Sequence, residues 1–322
     1  VSCGGGGCGI VCGGGGQRAA VCGLCSIVFD AVWDSVAPAE PASGGLSLTF
    51  TGFGFDTAAN HDCVLRVGDR VARSAQVRPV SNMAVVCVSP RWNYSESVTD
   101  LVLLEAVVNG SLVPLRMNLM QGATGNVSVY AVWNGANASS GLAKGVESIE
   151  IRGFGFRTEA ASGAYTCLYS SAWYNVATTA TVVSSFKLVC PVAAWNNTAT
   201  NVSLSVLYEQ QVVPWQSANL TEYGNTSFVM VPGWDSIVDR QSSYLSSGGS
   251  VLELEAYGLN ASAQYQCHFR RGASELVTSG SVLRADRLSC LTPAWGQNLS
   301  AAGGGVELSV VVGGAAIVDT GG

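Results

Sequence analysis

Gly44-Gly45-Leu46-Ser47-Leu48-Thr49-Phe50-Thr51-Gly52-Phe53-Gly54-Phe55 leads through a loop to Cys63, and a second cysteine, Cys87, is followed by Pro90 and Trp92. The same order returns at Ile149-Glu150-Ile151-Arg152-Gly153-Phe154-Gly155-Phe156, with Cys167, Cys190, Pro191 and Trp195 behind it. A looser third copy reads Leu252-Glu253-Leu254-Glu255-Ala256-Tyr257-Gly258-Leu259, then Cys267, Cys290, Pro293 and Trp295. Successive copies start 100 to 104 residues apart, which divides a chain of 322 residues into three repeats. Each repeat is long enough for one hydrophobic core.

The period within the opening stretch is two. Leu46, Leu48 and Phe50 fall on one face and Ser47, Thr49 and Thr51 on the other, as in a strand buried on one side only. The Gly-Phe-Gly-Phe segment reads as a turn in which glycine permits positive φ and both aromatics return to the core. The third copy keeps only Gly258 of the two glycines, so the second glycine is the stricter need. A Gly/Ser-rich turn is expected before each alternating strand, at Ser43-Gly44-Gly45, Ser139-Ser140-Gly141 and Ser247-Gly248-Gly249.

Other strands follow from β-branched runs. Ile27 to Asp34, Val127 to Trp133 and Phe228 to Trp234 read as one edge strand at each domain entrance. Each repeat closes on a hairpin, turning at Asn109-Gly110, near Glu209-Gln210 and at Gly313-Gly314. Val85, Leu188 and Leu288 stand two residues before a cysteine and share its face. The fold class is therefore all-β: three tandem antiparallel sandwiches at 27–122, 123–223 and 224–322, after an arm at 1–26. The links between them are short and nearly free of charge, so neighbouring domains should touch.

Eleven cysteines are present. Cys63 with Cys87, Cys167 with Cys190, and Cys267 with Cys290 give one matched pair per repeat, the pattern of intradomain disulfides in an oxidising compartment. Closing a loop of that length stabilises a domain by about 3 kcal/mol. The other five, Cys3, Cys8, Cys12, Cys22 and Cys25, lie among glycine runs in the arm. Cys22-Gly23-Leu24-Cys25 has the spacing of a redox or zinc pair, yet no βαβ unit surrounds it, and a disulfide-stapled arm is the reading adopted. Five is odd, so after two internal pairs one cysteine remains for another chain, a partner outside this stretch, or a free thiol.

Ten of sixteen asparagines begin an Asn-x-Ser/Thr sequon: Asn93, Asn109, Asn126, Asn137, Asn196, Asn201, Asn219, Asn225, Asn260 and Asn298. Chance would give about three, so an N-glycosylated surface is expected. Only 12% of residues are charged and mean hydropathy is positive. Covalent glycans would hydrate such a chain. A net charge of −6 without a basic cluster leaves no footprint for nucleic acid, and no apolar run reaches the roughly 20 residues of a membrane helix. The chain is expected to be extracellular or at the cell surface, and its start at Val1 without a signal-type run reads as that of a processed or partial chain.

The Ser-Gly-Gly turn, alternating strand, Gly-Phe-Gly-Phe, cysteine pair with a nearby proline and final hairpin together resemble the IPT/TIG family of immunoglobulin-like domains. The resemblance runs from Ile27 to Val318. Cys87 meets proline at its third following position and Cys190 immediately, and the third copy has Ala256-Tyr257-Gly258-Leu259, which blurs strand ends. Such domains occur in tandem in plexin-type and fibrocystin-type ectodomains, and singly in some transcription factors and polysaccharide enzymes. The sequons and the missing basic surface exclude the transcription-factor branch.

Catalytic readings find little support. The two histidines, His61 and His268, have no motif around them, and the carboxylates are scattered. No catalytic, metal or cofactor residue is assigned, and Trp92, Trp195 and Trp295 read as packing. The expected function is a structural or adhesive extracellular glycoprotein, a filament or matrix subunit that self-associates, or binds other extracellular glycoproteins, through the arm and domain contacts. A receptor ectodomain fragment is one alternative. A carbohydrate-binding accessory region of a secreted enzyme, using Trp173 and Trp215, is another.

Overall fold

The computed structural model describes residues 32–35, 39–95, 102–108, 111–113, 126–216, 226–238, 244–296 and 305–320. The five-cysteine arm, the Asn109-Gly110 turn and the links at 114–125 and 217–225 lie outside them. Among the described residues every regular element is a strand. Contacts group the chain into two compact units, one centred on Gly44–Arg91 and another running from Val129 onward that also takes in Pro41–Ser43 and Trp92–Val98.

The alternating strands are Ser47–Phe53, Ser148–Phe154 and Val251–Tyr257. Each lies antiparallel to the strand carrying the second cysteine, in the same register: Leu48 faces Cys87, Ile149 faces Cys190 and Leu252 faces Cys290. The strands carrying the first cysteine pair elsewhere, setting Cys63 opposite Ala106, Cys167 opposite Val206 and Cys267 opposite Val310. In the first two repeats the cysteines thus stand on different sheets and face one core. In the third, Ser274–Arg284 runs through both halves and joins them into one eight-stranded sheet. Disulfides link Cys63 to Cys87, Cys167 to Cys190 and Cys267 to Cys290, with Cα separations of 6.3, 6.0 and 6.0 Å.

Alternation is kept strictly in Ser47–Phe53, where Leu48, Phe50 and Gly52 are buried and the residues between are exposed. It also settles which aromatic of the turn is buried, and differs from expectation. Phe53 belongs to the outward series with Thr49 and Thr51 and is 47% exposed, whereas Phe55 is buried. Phe156 and Leu259 are the buried counterparts, and Val85, Leu188 and Leu288 are buried beside the cysteines.

The expected entrance strand is two strands. Thr226–Val231 pairs with Asn201–Tyr208, while Gly233–Ile237 pairs with Val251–Tyr257. Pro232, between them, has no N–H to continue a ladder. Phe228 and Met230 accordingly pack with Ile151, Leu188 and Trp195, and Trp234 packs with Leu254 and Phe269. Asn126–Tyr130 and Val132–Ala136 divide in the same way, the former pairing with Val102–Val108 and the latter with Ser148–Phe154.

One turn departs from the sequence reading, and another falls where the sequence placed it. In the second repeat Ser140–Leu142 is a strand, parallel to Thr226–Val231, and the turn sits at Lys144-Gly145. The second hairpin turns at Glu209 and Gln210, whose φ values of 46° and 69° are those of a two-residue hairpin loop built without glycine.

Candidate functional site at the joint between repeats

Within the second unit, the second repeat meets the third across a surface made from four short segments: Leu142–Gly145, Trp195–Ala199, Pro232–Asp235 and Tyr257–Leu259. Gly258 has φ 70°, and a Cβ there would stand 3.0 Å from the Cβ atoms of Ala143 and Ala199. A left-handed backbone and a surface of small side chains let the main chains approach. The Ala199 N–H then donates to the Gly258 carbonyl at 2.9 Å, and the Thr198 hydroxyl to the Leu259 carbonyl at 3.4 Å. No flexible linker intervenes in these bonds.

Polar groups ring the contact. Lys144 Nζ lies 2.6 Å from Asp235 Oδ2. The Thr320 hydroxyl bonds Asp235 Oδ1 at 3.2 Å and Tyr257 Oη at 2.8 Å. The hydrogen bond from Lys144 holds the Asp235 carboxyl below the usual carboxylate range, and the same bond raises Lys144. Burial pushes the Tyr257 hydroxyl up, and its ring packs against the second repeat's core. A Cβ on Gly233 would come within 2.6 Å of that ring, which therefore lies directly over the backbone.

Residues 41–43 and 92–95, which belong to the same unit, repeat the device. Gly155, with φ 77°, would set a Cβ 2.8 Å from that of Ala42. Ser95 Oγ lies 3.0 Å from Thr158 Oγ1. Trp92 and Trp195 are buried, as packing residues should be. Their indole N–H groups donate to the carbonyls of Ser95 at 3.4 Å and Thr198 at 2.9 Å.

Five sequon asparagines have described side chains, Asn93, Asn137, Asn196, Asn201 and Asn260, and all are exposed. Asn126 lies in a strand, and Asn109, Asn219, Asn225 and Asn298 are outside the described residues. Trp173 is 94% exposed on the turn after Tyr165–Ser170, which Ser171 ties by accepting from the Tyr174 N–H at 3.1 Å. Trp215 is half-buried and bridges to Trp133, so the two tryptophans do not share an exposed role.

Nothing among the described residues assembles a reactive centre. His61 is buried, with Nδ1 3.2 Å from the Ala59 carbonyl. His268 bonds Glu275 at 3.1 Å, and with Arg270 holds that carboxyl below its ordinary range. Among the described residues no group of three His, Cys, Asp or Glu side chains is placed to hold a metal, and no helix is long and apolar enough to cross a membrane. An open hollow of about 720 Å³ in the third repeat is lined by Gln264, Gln266, Ser279 and Gly313, without an acid or base.

The joint was not legible in the sequence. The links at 121–125 and 220–224 read as nearly charge-free, whereas the charge pair of the joint comes from Lys144 and Asp235, remote from both. The spacing of Trp195 to the hydroxyl residue of the next sequon, three positions in both the first and second repeats, was the available signal.

No known family model matches the sequence, and no curated protein matches it. Among solved structures the chain is similar to the full extracellular region of plexin A4, at 13% identity and a TM-score of 0.25, over 89% of this chain and 33% of that one. It is similar at 12% identity and a TM-score of 0.24 to a tetra-tandem repeat in the extending region of a large adhesion protein, over 89% and 71% of the two chains. The FN1–FN3 domains of chicken CNTN1 match at 8% identity and a TM-score of 0.22, over 87% and 92%. The chain thus spans about a third of the plexin ectodomain it resembles.

Proposed function

We propose that this chain is part of an extracellular structural or adhesive glycoprotein, built from three immunoglobulin-like domains of the IPT/TIG type and without catalytic activity. The observation that carries the reading is the joint of the second unit, where main-chain bonds such as Ala199 N–H to Gly258 O tie one repeat directly to the next. A protein that transmits load or holds a fixed spacing needs such joints. Disulfide-linked sheets and exposed sequon asparagines support an oxidising, glycosylating compartment. The arm with its odd cysteine then supplies the link to a second chain, as in a heterologous filament contact. Gel filtration and non-reducing electrophoresis of native material test this. Reductant-sensitive oligomers are expected, and a monodisperse monomer indifferent to reductant would refute the assembly role.

The exposure of Trp173 favours a second reading, in which the second repeat binds a carbohydrate by stacking. Retention on insoluble polysaccharide that disappears in Trp173→Ala would establish it.

A further inference from the structure

In the second repeat, the sequon Asn196-Asn197-Thr198 is built into the joint. The Thr198 N–H donates to Asn197 Oδ1 at 2.9 Å, its carbonyl accepts the Trp195 indole N–H, and its hydroxyl donates to the Leu259 carbonyl of the next repeat. Every polar group of Thr198 is thus engaged while Asn196 itself stays exposed. The first sequon behaves alike: Asn93 is exposed, and Ser95 Oγ meets Thr158 Oγ1 and accepts from the Thr158 N–H at 3.4 Å. The sequons at Asn137 and Asn260 differ, since Ser139 and Ser262 are exposed and both lie within a single repeat.

N-glycosylation reads the hydroxyl two residues beyond the asparagine as well as the asparagine. The Asn amide nitrogen attacks the anomeric carbon of a lipid-pyrophosphate-linked oligosaccharide. The C–N bond forms, the bond from that carbon to the phosphate oxygen breaks, the pyrophosphate leaves with the electron pair, and the amide proton passes to a base. A hydroxyl already committed across a closed joint is not available to the transferase.

We infer that Asn196 accepts glycan only while the joint beside it is open, so that modification there precedes docking of the next repeat. The inference rests on the glycoprotein reading above. Its consequence is an order of events: glycan first, joint second, with the sugar then standing at the rim of a contact that it can no longer enter.

The test uses the folded, unglycosylated chain as substrate for purified oligosaccharyltransferase with lipid-linked oligosaccharide, reading each site by mass spectrometry against the same chain unfolded. Asn137 and Asn260 are expected to be modified in the folded chain, and Asn196 about tenfold or more slowly than in the unfolded chain, as for a site gated by local opening. Gly258→Val should raise the Asn196 rate by opening the joint. Lys144→Glu, which repels Asp235 without touching the glycine, should do so more weakly and keeps the test valid where the first variant does not fold. Modification of Asn196 in the folded wild type as fast as Asn137 overturns the inference. Failure of every sequon in the unfolded chain overturns the glycoprotein reading and the inference with it.

Discussion

Lys144 and Asp235, on successive repeats, meet at 2.6 Å across a joint whose main chains are also hydrogen-bonded. The pair makes the joint pH-sensitive with a defined sign. Asp235 is depressed, so its contribution is present above the ordinary carboxylate range and is lost as pH falls through its folded value. Lys144 is raised, so its contribution is present below the ordinary lysine value of about 10.4 and is lost as pH rises past its folded value. Protection of the Ala199 amide from hydrogen exchange, corrected for intrinsic rate, should be flat from about pH 5 to 9 and fall at both ends. Asp235→Asn should remove the acid limb, and an unchanged acid limb would assign it to another group.

Gly258 has no room for a side chain. Gly258→Ala puts a Cβ 3.0 Å from two alanines at a φ of 70° and should cost about 1 to 3 kcal/mol. The loss should appear in calorimetry as an earlier transition of the third repeat, the Gly68→Ala variant serving as a left-handed control whose added Cβ meets nothing within 4 Å. Equal losses in the two variants would show that only backbone strain is being measured.

His61 occupies a place where the later repeats use tyrosine. Tyr165 Oη accepts the Arg157 N–H at 3.0 Å and Tyr265 Oη accepts the Asn260 N–H at 2.9 Å, tying the turn to the strand. His61 keeps the ring geometry, edge-on to Phe55 at 5.8 Å as Tyr165 is to Phe156 at 5.7 Å, but its buried Nε2 has no partner. His61→Tyr should stabilise the first unit by about 1 kcal/mol, read as a higher urea midpoint at unchanged slope. A lower midpoint would mean that the site cannot expand to seat the larger ring.

The third repeat's departure from Gly-Phe-Gly-Phe is a compensated pair. A Cβ on Gly153 would stand 2.4 Å from both the Phe156 ring and the Val132 carbonyl oxygen, and the third repeat carries Ala256 with the smaller Leu259. Leu259→Phe alone should cost about 1 to 3 kcal/mol by overpacking, and adding Ala256→Gly should recover most of it. Additive losses in the double-mutant cycle would separate the two positions.

These pairs show what one sequence can disclose. Strand period and cysteine spacing depend on neighbours a few residues away, so Leu48, Ile149 and Leu252 could be placed on a buried face before any contact was known. The second glycine of the turn was legible because one copy had discarded the first. Which aromatic turned inward was not, since Phe53 and Phe55 are chemically alike and only the continued alternation through Gly52 separates them. The joint was hidden for a different reason: Lys144 and Asp235 stand 91 positions apart, and nothing local marks either. The split at Pro232 was available, because proline cannot continue a ladder, but the unbroken apolar run around it outweighed that signal.

The three disulfides have a mechanical consequence. Each closes a segment whose cysteines stand 24, 23 or 23 positions apart. A chain pulled from its ends could unravel a repeat only outside that segment, leaving roughly 80 Å of contour length per repeat withheld at about 3.4 Å per residue. Under tension the chain would thus lengthen in capped steps, and reduction of the bridges would release the remainder as slack.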